Sequence, residues 1–224
     1  RKGDVYDDNA TDILLIEASD FDDRIWISEE SVLLSANPYA VLEANFVFQQ
    51  TFDLTLKASA SATPVTVRLS VESFGDLDSL VDAFNAAFEA DPKLSGRVEA
   101  VKRGYTIAIL TRGLGRTAGL TLSNFASSEN GLEALGFASG QTSVEQMVVD
   151  YTGYSDFEQK VVHRVMLGGW RSPTGAAMVE QFRISGLGGN DEIGFVEGAN
   201  ALDTTTLSAR SRDWVGVIDG GPGD

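Results

Sequence analysis

Three stretches of this 224-residue chain follow one plan, in which a short apolar run enters a turn of Gly, Asp or Asn. The first reads Asp12-Ile13-Leu14-Leu15-Ile16-Glu17, then Ala18-Ser19-Asp20-Phe21-Asp22-Asp23, then Arg24-Ile25-Trp26-Ile27-Ser28. The second reads Phe182-Arg183-Ile184-Ser185, then Gly186-Leu187-Gly188-Gly189-Asn190-Asp191, then Glu192-Ile193-Gly194-Phe195-Val196. In the third, Trp214-Val215-Gly216-Val217-Ile218 enters the turn Asp219 to Asp224. Apolar runs this short, bounded by turn residues, have the length of strands, and a β architecture follows.

Between the first two copies, from Phe46 to Gly140, the pattern changes to that of a small α+β unit. Phe52, Leu54 and Leu56 alternate with polar residues, as do Val65, Val67, Leu69 and Val71, so each segment reads as a half-buried strand, joined as a hairpin through residues 59–64. From Asp76 to Ala90 the spacing of Leu77, Leu80, Val81, Phe84 and Phe88 predicts an amphipathic helix, with Asp76 as its N-cap and Pro92 beyond its end. Arg97 to Val101 and Tyr105 to Thr111 flank Lys102-Arg103-Gly104 as a second hairpin, and Leu120-Thr121-Leu122 is a short strand. Residues 144–149 and 161–166 read as strands that return the chain to the repeats. The division expected is therefore 1–45, an inserted module at 46–140, and 141–224.

Composition narrows the function classes. A hydrophobic fraction of 43% suffices for a packed core, and with no Cys the chain has neither disulfides nor thiolate chemistry. Acidic residues outnumber basic ones 33 to 17, a formal charge of −16 that repels phosphate backbones and suits either simple solubility or hard, oxygen-seeking cations such as calcium. Nucleic acid is not expected as a partner. No apolar run reaches the roughly 20 residues of a membrane span. The beginning, Arg1-Lys2-Gly3-Asp4, leads into no signal-peptide core, and Asp219 to Asp224 is a turn signal. The chain is expected to be an internal piece of a longer exported protein.

The turn Gly186 to Gly194 resembles the nonapeptide G-G-x-G-x-D-x-U-x of RTX, or hemolysin-type, calcium-binding repeats. Gly186, Gly189, Asp191 and Ile193 fall at its first, fourth, sixth and eighth positions, with Leu187 in place of the second Gly. Gly220-Gly221-Pro222-Gly223 matches its first four positions, and Ala18 to Trp26 keeps Asp23 and Ile25 without glycine. The resemblance implies Ca2+ held between turns of successive coils, with Asp20, Asp22, Asp23, Gly186, Gly188, Asn190, Asp191, Asp219, Gly221 and Asp224 as candidate ligands through side-chain or backbone oxygens. It also implies coils of a parallel β-helix or β-roll, interrupted by the small antiparallel sheet and helix. The middle module resembles the "IN" motif of flagellin and flagellar hook-associated proteins across residues 65–137. Asp78 to Ala87 stands for its D-x-x-x-A-I-N-A helix, Arg97-Val98-Glu99-Ala100 and Thr106-Ile107-Ala108-Ile109 for its strands, and Leu135-Gly136-Phe137 for its closing step.

No catalytic motif emerges. The only histidine is His163, and a triad or multi-His metal site would rest on it alone. Gly113 to Gly119 has glycines wrongly spaced for a nucleotide loop and leads into a strand, so a flexible hairpin connection is expected there. Carboxylate pairs such as Asp7/Asp8 and Asp22/Asp23 read as solvated turns or cation ligands, and Tyr151, Tyr154, Phe157 and Trp170 as a core cluster. The function expected is a calcium-stabilised structural or adhesive module of a large secreted or cell-surface bacterial protein, without catalysis. Its partners would be other parts of that protein and a surface glycan or protein. Alternatives are an accessory calcium-binding domain of a secreted hydrolase and a carbohydrate-binding adhesin module.

Overall fold

A computed structural model describes residues 13–17, 23–37, 46–115, 117–154, 160–168, 181–185, 192–196 and 215–219. The described elements are, in order, β1 (Ile13–Glu17), β2 (Arg24–Leu34), β3 (Phe46–Lys57), β4 (Val65–Gly75), α1 (Leu77–Glu89), β5 (Val98–Arg103) and β6 (Thr106–Thr111). There follow β7 (Gly119–Ser123), β8 (Val144–Tyr154), β9 (Lys160–Gly168), β10 (Gln181–Ser185), β11 (Glu192–Val196) and β12 (Val215–Asp219). The chain separates into two compact units, one of residues 1–27, 147–195 and 202–224, the other of residues 28–146 and 196–201. The boundary crosses β2 and β8, which contribute residues to both.

In the second unit, β4-β3-β7 and β5-β6-β2 form two antiparallel sheets. The β3–β4 hairpin pairs without a bulge from Phe46↔Gly75 to Leu56↔Val65, because strict alternation puts Phe48, Phe52, Leu54 and Leu56 on the face shared with Val67, Leu69 and Val71. Its other face is polar and cross-linked, with Thr55 and Thr66 hydroxyls 2.8 Å apart and Arg68 Nη1 2.9 Å from Asp53 Oδ1. Such pairs contribute about 0.2–1 kcal/mol each.

The helix begins where the sequence places its cap: Asp76 Oδ1 accepts from the Ser79 N–H at 2.9 Å and from the Ser79 hydroxyl at 2.8 Å. Leu77, Leu80, Phe84 and Phe88 line its buried face, and Phe84 lies among Phe48, Phe52 and Phe88 at ring-centroid distances of 5.3, 5.9 and 6.0 Å. α1 packs against both β4 and β5. At β5 the contact is polar as well as apolar. Arg112 N–H bonds Arg97 O, so the alternate residues Val98, Ala100 and Lys102 present their peptide groups to the outer edge of the sheet. Asn85 occupies that edge as a short extra strand would, donating Nδ2–H to Ala100 O at 2.9 Å and accepting from Ala100 N–H at 2.7 Å. An unfavourable helix-interior residue thus satisfies an edge that would otherwise be open to aggregation.

In the first unit, β1, β10 and β12 form a three-stranded sheet with parallel pairing throughout. Strand β8 neighbours β9, and β11 pairs with β2. The expected parallel β-helix or β-roll coils are therefore corrected. The chain is mainly β with one described helix, but its body is two small antiparallel sheets. The physical reason is connection length: tight hairpins, such as the Gly104 turn at φ 59°, return the chain antiparallel, whereas each parallel neighbour needs a long crossover. All of residues 18–180 intervene between β1 and β10, so these strands do not come from successive coils. A second correction concerns residues 113–119. They do not close a hairpin, because β6 and β7 belong to different sheets.

Candidate functional site

The carboxyl ends of β1, β10 and β12 are level. Glu17 pairs with Ser185 and Ser185 with Asp219, so these residues, each the last of its strand, share one register position. Of the residues the sequence nominates, Asp219 belongs to this row. Asp20, Asp22, Gly186, Gly188, Asn190, Asp191, Gly221 and Asp224 lie outside the described residues.

Asp23 stands apart from the row in its bonding. It is buried and accepts a hydrogen bond from the Tyr151 hydroxyl at 3.0 Å. That bond ties Tyr151 to the entrance of β2, a role not evident from the aromatic cluster in the sequence. Phe157 and Trp170 lie outside the described residues, and His163 falls on β9. Among the described residues there is no group of three His, Asp or Glu side chains placed to hold a metal.

The carboxylates of the second unit serve the fold. Asp53 is held below its ordinary pKa by Asn124 and then by Arg68, Asp76 by the Ser79 backbone and hydroxyl, and Glu89 by Ser95 and the Gly96 N–H. Lys102 Nζ lies 2.9 Å from Asp78 Oδ1, joining the start of α1 to the end of β5.

Glu30 is the exception in sign, and sequence reasoning missed it. Only 3% exposed on β2, it accepts from the Thr111 hydroxyl at 2.7 Å and from the Gly113 N–H at 2.8 Å, with Ser28 and Leu114 adding further bonds. Positive φ at Gly113 and Gly115, 63° and 75°, shapes the loop that offers these donors. The loop whose glycines are wrongly spaced for a nucleotide offers its Gly113 and Leu114 N–H groups to a carboxylate of the chain itself. Burial outweighs the bonds and raises the Glu30 pKa above its ordinary 4.5. A raised folded value means that the fold favours the protonated form. The stabilisation is therefore present below pH 4.5 and lost as pH climbs through the folded value. Urea denaturation across pH 4–8 should show the unfolding free energy of the wild type falling relative to Glu30→Gln as pH rises; a flat or rising difference would contradict a buried, raised carboxyl.

No helix among the described residues is long and apolar enough to cross a membrane. Comparison with protein-family models, curated proteins and solved structures gives no match.

Proposed function

We propose that this chain is a non-catalytic structural or adhesive module of a large secreted or cell-surface bacterial protein, with calcium stabilising the carboxyl ends of β1, β10 and β12. The observation that carries this reading is the shared register of Glu17, Ser185 and Asp219, because these three strand ends, each followed in the sequence by a stretch rich in Asp, Gly or Asn, fall at one level of one sheet. A cation there neutralises charge on a chain of −16 and joins segments far apart in sequence. The structural bonding of Asp53, Asp76, Asp78 and Glu89 supports a scaffold role for the second unit. The RTX-like turn at Gly186 to Gly194 and the "IN"-like segment at 65–137 are consistent with an extracellular, repetitive protein.

A ligand bound only by the folded state stabilises by RT ln(1 + [L]/Kd), about 2.7 kcal/mol at a hundredfold excess over Kd. Millimolar calcium should raise the thermal midpoint of the chain and a chelator should reverse the rise. Asp191→Ala should reduce the response, whereas Asp76→Ala, in the α1 cap, should lower the midpoint with and without calcium alike. An unchanged midpoint in the wild type, or equal loss of response in both variants, would remove calcium from the account.

A further inference from the structure

The second unit is closed on one side by α1, which spans β4 and β5. A cleft of about 340 Å3 is lined by residues of β2, β3, β7 and the start of β8. Its walls include Ser31, Lys57, Thr121, Thr142, Ser143 and Glu145. The Ser143 oxygen accepts from the Leu120 N–H at 2.9 Å, which leaves its O–H as a donor, and the Ser31 hydroxyl donates to Ala118 O at 2.6 Å, which leaves its lone pairs as acceptors.

Lys57 sets the chemistry of this cleft. Carboxylates outnumber cations 33 to 17 in the chain, and Lys102 and Arg68 each have an acidic partner. The Lys57 ammonium forms no ion pair or hydrogen bond among the described residues, although the residue is half-buried at the end of β3. An ammonium beside several hydroxyls and a carboxylate matches a ligand that is mostly hydroxyl and carries one negative charge. The volume is at the small end of the roughly 300–1,000 Å3 typical of small-molecule sites, which suits one ring. No aromatic face lines the cleft, so stacking adds nothing and affinity should be weak, on the order of 1 mM. The net charge disfavours a polyanion, whereas attraction by Lys57 is local, screened beyond about 8 Å at physiological salt.

We propose that this cleft binds a single acidic sugar ring, its carboxylate on Lys57 and its hydroxyls on Thr121, Thr142 and Ser143. The site goes beyond the structural reading and needs no calcium.

D-galacturonate and D-galactose share a ring and differ only at C6, where one carries a carboxylate and the other a hydroxymethyl group. Titrated by calorimetry into the whole chain with chelator present, galacturonate should bind about tenfold tighter. Lys57→Gln, which keeps most of the side-chain stem, should erase that preference and leave the thermal midpoint unchanged. No saturable binding of galacturonate, equal affinities for the two sugars, or a preference that survives Lys57→Gln would each overturn the proposal. Because calcium is absent throughout, these outcomes are separate from the success or failure of the calcium reading.

Discussion

Gly136→Ala should cost the second unit at least about 3 kcal/mol of unfolding free energy. Gly136 has φ +87°, where any side chain is strained, and a Cβ there would lie 2.6 Å from Asn37 N, 2.7 Å from Ala36 N and 3.0 Å from Ala36 C. All three are backbone atoms, so no rotamer change relieves the clash. The segment that would have to move is tied down, with Asn37 N–H on Leu135 O at 3.1 Å and Asn37 Nδ2–H on Ala134 O at 2.9 Å. Gly140→Ala separates the two causes, since φ there is +83° but nothing lies within 4 Å of the added carbon. It should cost only about 1–2 kcal/mol, the left-handed penalty alone. Equal losses by urea denaturation would mean that the 35–37 segment does not pack on Gly136.

Phe84→Ala should be comparably severe, about 3–5 kcal/mol. The ring is fully buried at the centre of the aromatic group on β3 and α1, within 6.0 Å of three other rings, and the helix that carries it links β4 to β5. Removing it leaves a cavity that the neighbouring rings on β3 and α1 fill poorly. Phe74, 66% exposed near the end of β4, is the matched control, and Phe74→Ala should change stability by less than about 0.5 kcal/mol. A small effect at Phe84 would place the core elsewhere.

The elements of the second unit were legible because each announces itself locally. Period-2 alternation marks β3 and β4, and helical spacing with Asp76 and Pro92 bounds α1 within a residue of the expected 76–90. Gly104 marks the β5–β6 turn. Long-range pairing was not legible. Similar strand-turn-strand spellings suggested successive coils, yet nothing in a five-residue apolar run says which partner it takes or in which direction. The antiparallel sheets follow from hairpin closure and packing among distant residues. Asn85, Glu30 and Asp23 escaped for the same reason. Each is a polar residue whose partner lies 15, 81 and 128 positions away, at Ala100, Thr111 and Tyr151. A polar residue inside an apolar helix face was the one available signal, and only Asn85 carried it, as part of the "IN"-like segment. The level row of Glu17, Ser185 and Asp219 likewise required the register itself.

Amide hydrogen exchange with and without calcium tests that row most directly. If calcium sits at the carboxyl ends of the parallel sheet, millimolar calcium should slow exchange in residues 13–17, 181–185 and 215–219 together. Exchange in β3, β4 and α1 should stay the same. No slowing in those three strands, or equal slowing in both units, would contradict the account.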